Sequence, residues 1–252
     1  MKLINLNLWL GGFLWDEITN FLQKEDADII AMQEVYRTDE KGLEPRFNGF
    51  HELRELLGYQ NTHFAPTFIE DMPQYVEQGN AVFSKFPIEE INIKYFEGKF
   101  SKRIGKREFF SKSPRNLEHV NVNINGKNLH IINLQGVWAE HGKDNRARLH
   151  MADVILDEAN KVKNAPLIIC GDMNLKPNTK TIEKIEKKYK NIFKGKFETT
   201  FNLARKDLKK YPGYATAVVD MVFVNDFVKI KSKSSPNVDI SDHLPQIVEF
   251  EI

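Results

Sequence analysis

The chain has 252 residues, 41% of them hydrophobic and 28% charged, which allows a sizeable buried core and excludes a disordered or low-complexity protein. The net charge of +1 names no partner by bulk electrostatics. A single cysteine, Cys170, excludes an intrachain disulfide.

Charge is unevenly placed. Residues 1–93 hold 7 Lys/Arg against 16 Asp/Glu, and the remainder holds 29 against 19. An acidic half suits cation binding and a basic half an anionic substrate; dispersed surface charge explains the same numbers equally well.

In chain order, Leu3–Trp9 reads as a strand rather than a secretory leader, because Asn5 and Asn7 interrupt its apolar residues. Trp15, Ile18, Phe21 and Leu22 share one face of a predicted helix over Trp15–Lys24. Ile29–Val35, Asn80–Ser84, Ile88–Tyr95, Leu117–Ile124 and Leu129–Gln135 follow as strands. Asn125-Gly126 marks a two-residue hairpin between the last two. A helix is predicted over 146–163, then the apolar run Leu167–Cys170, then a helix capped by Asn178 or Thr179 and running to Tyr189. Val218–Val224, Val228–Lys231 and Gln246–Ile252 complete the strands. Residues 96–116 and 195–217 read as long loops. The first carries Arg103, Arg107 and Arg115 among Phe100, Phe109 and Phe110, a pattern that lines phosphate-rich surfaces or forms a solvated loop. No repeat or linker divides the chain, so residues 1–252 are expected to form one α/β domain with mixed sheets.

Several polar residues interrupt or end apolar runs. Glu34 closes one, Asp172 and Asn174 follow another in Gly171-Asp172-Met173-Asn174, and Asp220 lies in a third. Asp242 and His243 precede the last strand in Ser241-Asp242-His243-Leu244-Pro245. An unpaired buried carboxylate is costly, so each needs a cation or a donor. Asp172 can hold a water or accept a proton, and Asn174 can donate to a developing oxyanion; an Asx turn is the structural alternative. Hard oxygen donors without a Cys/His cluster suit Mg²⁺ or Mn²⁺ rather than structural zinc.

These pieces, with Asn7, Gln33-Glu34 and Gly79-Asn80-Ala81-Val82-Phe83-Ser84-Lys85-Phe86-Pro87, resemble the endonuclease/exonuclease/phosphatase superfamily, the DNase-like phosphoesterases, in family order and over nearly the whole chain. The resemblance implies a four-layer α/β/β/α sandwich with two packed mixed sheets, and metal-dependent hydrolysis of a phosphate ester. It implies Glu34 as principal metal ligand with Asn7 and Asp242 near the cation. It makes Asp172 the residue that orients or deprotonates water, Asn174 a donor to the transition state, and His243 the phosphate-side imidazole held by Asp220.

One position departs. Many members carry a second His where this chain has Gln135, with Asn133 as the other register. Gln donates to phosphate but carries no proton. His130 alternates onto the opposite face, whereas His141 lies in a nearby loop that could reach the site. Three substrate readings follow: a phosphodiester, with nucleic acid as one option; a small phosphorylated metabolite, inositol phosphate or phospholipid headgroup; or, in another class, a binding protein that kept the fold and lost turnover. The expected form is a cytoplasmic monomer with no membrane span and with Arg103, Arg107 and Arg115 as substrate contacts.

Overall fold

The computed structural model describes residues 1–103, 111–210 and 213–252. Twelve strands among these form two six-stranded sheets. The first takes β1 (Lys2–Asn7), β2 (Ile29–Arg37), β3 (Asn61–Ile69), β4 (Glu77–Ser84), β11 (Lys229–Ser234) and β12 (Gln246–Glu251), in the spatial order β11-β12-β1-β2-β4-β3. The second takes β5 (Ile88–Glu97), β6 (Arg115–Ile124), β7 (Lys127–Gln135), β8 (Leu167–Asp172), β9 (Lys190–Asn191) and β10 (Asp220–Val224), in the order β5-β6-β7-β8-β10-β9. Each sheet joins parallel and antiparallel neighbours, as a mixture of hairpins and β-helix-β stretches requires.

Alternation along the strands builds the layers. Leu3, Ile29, Ala31 and Val82 face Val120, Ile131, Ile168 and Val222 between the sheets. Ile4, Leu6, Ile30 and Met32 point the other way, onto α1 (Trp15–Glu25) and α2 (Gly49–Leu57). On the far side Ile132, Leu134 and Ile169 meet α3 (Arg146–Ala159) and α4 (Lys180–Glu186). The result is the four-layer sandwich. The interior strands β1, β2 and β8 carry apolar residues on both faces, because both faces are covered.

Local chemistry sets several boundaries. The strand expected over Leu3–Trp9 ends at Asn7, since Trp9 and Leu10 take left-handed φ of 61° and 51° and turn the chain away. Asn125 and Gly126, with φ of 53° and 88°, form the hairpin turn anticipated from sequence. Thr179 rather than Asn178 caps α4, accepting from the Ile182 amide, and α4 stops at Glu186 rather than Tyr189. Asn145 caps α3 by accepting from the Arg148 amide at 2.9 Å.

Three elements, α2, β3 and the two-residue β9, were not anticipated. β3 reads Asn61-Thr62-His63-Phe64-Ala65-Pro66, a polar start and an internal proline that hide the strand pattern. It lies at the edge of its sheet, where a proline is tolerated. No helix of the described residues is long and apolar enough to cross a membrane.

Candidate active site

The topology brings polar residues to one end of the sandwich. β1 and β2 run parallel, as do β7 and β8, so their C-terminal ends emerge together. β10 and β12 run antiparallel to β8 and β1, so their N-terminal ends join them. Ligands of α/β sheets bind outside strand ends of this kind. Register then fixes the details: Gln135 lies beside Asp172, and Asp172 beside Asp220, in one row across the second sheet.

Glu34 reaches the row through an irregularity. The pairing of β2 with β4 slips between Met32 and Val35, and Glu34 adopts φ of 56°. β2 continues to Arg37, two residues beyond the Val35 expected from sequence. A bulge of this kind re-aims a side chain at the rim of a sheet. Glu34 Oε1 accepts from Gln135 Nε2 at 2.6 Å and Asn7 Nδ2 at 3.2 Å, and Oε2 accepts from the Leu10 amide at 2.8 Å. Burial opposes its ionisation, but the Leu10 amide, the His243 charge and the two side-chain amides outweigh it and hold the carboxyl below its ordinary range.

Asn7 Nδ2 also donates to Asp172 Oδ2 at 3.1 Å, so one amide bridges both acids while its oxygen accepts from the Trp9 amide at 3.0 Å. Asp172 Oδ1 accepts from the Asn174 amide at 2.9 Å. Burial is the main reason that the Asp172 carboxyl rises to about 6. The glycine before it, Gly171, has φ of 147°, and a Cβ there would sit 1.9 Å from the Leu134 carbonyl oxygen. Only glycine lets β7 and β8 approach at this point.

His243 Nδ1 faces both Asp220 oxygens, at 2.9 and 3.1 Å, which accept from it. Burial alone would depress this imidazole, but Asp220 and Asp242 prevail and carry it to about 9, so Nδ1 is a donor at neutral pH. Its ring packs edge-on against Phe201 with centroids 4.7 Å apart. Asp172, Asp220 and His243 offer ligand atoms within 4.8 Å of one another. Asp242 pairs through Oδ2 with Lys206 Nζ, and its Oδ1 is buried without a hydrogen-bond partner.

Glu34, Gln135, Asp172, Asp242 and His243 line a cleft of about 590 Å³ together with Trp9, Trp138, Tyr214, Arg103 and Arg115, while Asn7 and Asp220 sit behind them. Arg115 is buried, donates to the Gly136 carbonyl at 3.2 Å, and is lowered by burial only to about 10, so it stays cationic. Arg103 pairs with Glu70 at 2.5 Å. Arg107 lies outside the described residues. Asn174 is in the cleft, but one N–H goes to the Gly136 carbonyl at 3.1 Å and its oxygen accepts from Tyr214 at 2.8 Å, leaving a single N–H for a ligand.

Gln135, not Asn133, lines the cleft: Asn133 is fully buried between the sheets and bonds Gln33, Glu118 and two carbonyls. His130 lies on the opposite sheet face, as alternation requires, and His141 is exposed and does not line the cleft. Sequence reasoning missed Tyr214, Lys206 and Arg148. Arg148 is buried and braces the site by donating to the Asn174 carbonyl at 2.5 Å and the Val137 carbonyl at 2.9 Å. Tyr214 and Lys206 come from the irregular stretch 195–217, and Arg148 from a helix, none with a motif to mark it.

The donor chemistry fits a hard divalent cation. Glu34 and Asp242 offer carboxylates and Asn7 an amide oxygen that also accepts from the Trp9 amide, and Asp242 Oδ1, buried without a hydrogen-bond donor and 3.8 Å from His243 Nε2, is an acceptor of the kind a cation satisfies.

The chain matches the model of the Endonuclease/Exonuclease/phosphatase family over residues 6–243. No curated protein matches it by sequence. Its fold is similar to an endonuclease/exonuclease/phosphatase from Beutenbergia cavernae, with a TM-score of 0.77 and 18% identity over 100% of this chain and 71% of that one. A mannosyl-6-phosphatase from Bacteroides thetaiotaomicron gives 0.73 at 16% identity, with both chains covered completely. The human Nocturnin catalytic domain with bound sulfate gives 0.69 at 16%, covering 100% of this chain and 94% of that one.

Proposed function

The chain belongs to the endonuclease/exonuclease/phosphatase family, and we propose that it is a divalent-metal-dependent phosphoesterase whose substrate is a phosphodiester. The observation that carries this reading is the pairing, in one cleft, of a cationic imidazole on Asp220 with the two acids bridged by Asn7.

Each residue then has a separable task. Asp172, buried and with a raised carboxyl, orients the attacking water and takes its proton. His243 is anchored through Nδ1, which leaves Nε2 to donate to a phosphate oxygen or the leaving oxygen. The remaining N–H of Asn174 and the Arg115 guanidinium add positive potential where charge develops. Gln135 holds Glu34 in place and carries no proton. Glu34, Asn7 and Asp242 would hold Mg²⁺ or Mn²⁺. When bound, such an ion neutralises phosphate charge and stabilises the leaving oxygen.

The size of the cleft favours a second reading, a phosphatase of a small phosphorylated metabolite, because about 590 Å³ accommodates a small molecule whole. The test is a panel of phosphate monoesters, diesters, DNA and RNA with Mg²⁺ and Mn²⁺, comparing wild type with Glu34→Ala and His243→Ala. Turnover of diesters that both variants lose supports the main reading. Monoester turnover alone selects the second, and equal rates in all three proteins reject both.

A further inference from the structure

Asp220 opens β10 in the second sheet and His243 precedes β12 in the first, so no strand ladder sets the 2.9 Å between them. Their relative position needs another cause. The strip Thr200-Phe201-Asn202 supplies it. It lies in the irregular stretch 195–217, adds no strand to either sheet, and is buried at all three residues.

The strip runs antiparallel to the turn that carries His243, with Phe201 opposite the histidine. The Thr200 carbonyl accepts from the Leu244 amide at 2.7 Å, and the Asn202 amide donates to the Asp242 carbonyl at 3.0 Å, so the backbone is held on both sides of His243. Asn202 Nδ2 also donates to the Ser241 carbonyl at 3.1 Å. The Phe201 ring packs edge-on against the imidazole, with centroids 4.7 Å apart, and against Tyr214 at 5.7 Å. Thr200 Oγ1 accepts from the amides of Val219 and Asp220 at 2.9 and 3.1 Å. One residue thus touches both halves: its carbonyl holds the His243 turn, and its hydroxyl oxygen holds the start of β10. Gln246 Nε2 donates to the Asp220 carbonyl at 2.9 Å, so Asp220 is gripped at both of its backbone polar groups.

Ser, Thr and Asn side chains commonly bond backbone groups within a few residues of their own, which only closes a turn. These bonds reach further. Thr200 spans 19 and 20 residues along the chain, and Asn202 spans 39. Valine matches threonine in shape, so packing alone does not call for a hydroxyl at this buried position. What the hydroxyl adds is a fixed place for Asp220 relative to His243. A misplacement of about 1 Å can cost a reacting geometry ~10²-fold.

On the phosphoesterase reading of the cleft, we propose that Thr200 is a positioning residue, acting with Phe201 and Asn202 to set the His243 imidazole against the Asp220 carboxylate. Thr200 is fully buried and meets no substrate. It acts through Asp220 and His243.

The test uses the full chain with Mg²⁺ and the phosphoester that the wild type turns over. Thr200→Val removes the hydroxyl and keeps the shape. Its kcat should fall roughly tenfold or more while KM stays within about twofold, because the interaction lost is one made in the transition state. Mn²⁺ affinity, read by calorimetry, should also hold within about twofold, since the Asn202 amide still holds Asp242. Thr200→Ser restores the oxygen and should recover most of kcat. Phe201→Leu spares the hydrogen bonds and is the second variant, which decides alone if Thr200→Val does not fold; its kcat should fall about threefold or more with KM held. Melting is recorded for each variant, and rates are taken below the transition. Equal losses in Thr200→Val and Thr200→Ser, a rise in KM without a fall in kcat, or kcat within about twofold of wild type in every folded variant overturns the proposal while leaving the phosphoesterase reading intact. A wild type that turns over no phosphoester removes both together.

Discussion

Gln135 donates from Nε2 to Oε1 of Glu34 at 2.6 Å, and its own carbonyl lies 3.4 Å from Gln78 Nε2. Gln135, at the position where the family resemblance leads one to expect histidine, is thus spent on holding Glu34. A hydrogen bond to a charged group contributes about 1.5–3 kcal/mol. Gln135→Leu should therefore loosen Glu34 and weaken Mn²⁺ binding by roughly tenfold or more, measured by calorimetry. Gln135→His tests the departure directly. A higher kcat with Mg²⁺ would mark the glutamine as a loss of proton transfer, and a lower one would mark it as an adapted anchor for Glu34.

The pH profile follows from two shifted groups. Asp172 must be ionised to accept a proton, so activity falls as pH drops through about 6, a limb that a bound cation moves lower. His243 must be protonated to donate, so activity falls as pH rises through about 9. A bell-shaped kcat/KM between these limbs is expected. Asp220 is the chief reason that the imidazole stays charged, so Asp220→Asn should pull the alkaline limb down toward the ordinary histidine value near ~6.5. An alkaline limb unmoved by that substitution would remove His243 from the acid role. Linkage has the same sign: the folded pKa of His243 is raised, so its stabilising contribution is complete below about 6.5 and lost as pH rises through 9.

How far the sequence announces this site depends on the kind of signal. Asp172, Asp220 and His243 are legible because a charged side chain in or beside an apolar strand is anomalous and demands a partner. The strand ends that carry them follow from alternation alone. The aim of Glu34 is different, since it depends on a bulge between Met32 and Val35 that no local pattern reports. Tyr214, Lys206 and Arg148 were invisible for a related reason. Their partners lie 40, 36 and 26 residues away, and a contact across that separation leaves no periodicity in either segment. The edge strand β3 escaped because an edge tolerates polar residues and proline that an interior strand does not.

Lys206 gives a prediction of the opposite sign to most active-site changes. Its ammonium pairs with Asp242 Oδ2 and lies 4.1 Å from the centroid of the Phe201 ring. A cation approaching Asp242 must contend with that fixed positive charge. Lys206→Ala should tighten Mn²⁺ binding by about tenfold, equivalent to 1.4 kcal/mol, while raising KM if the ammonium also meets the phosphate. Calorimetry and steady-state kinetics on one preparation separate the two effects. Weaker Mn²⁺ binding in the variant would show that Lys206 positions Asp242 rather than competing for it.

Asn133 distinguishes a fold-determining polar residue from a catalytic one. It sits between the sheets with no exposed surface, accepts from Gln33 at 2.7 Å, and donates to the carbonyls of Met32 and Ala81 at 3.0 and 3.1 Å. It therefore ties strands of the first sheet to β7 in the second, and Glu118 Oε2 lies 3.3 Å from the same amide. Asn133→Leu removes these partners together and leaves buried acceptors and one donor unpaired, at about 1–3 kcal/mol each before relaxation. A loss of roughly 3 kcal/mol or more in urea unfolding is expected. At temperatures where the variant remains folded, kcat should stay near wild type, because Gln135 and not Asn133 reaches the cleft. A large fall in kcat with unchanged stability would instead place Asn133 in the chemistry and the register of β7 would need revision.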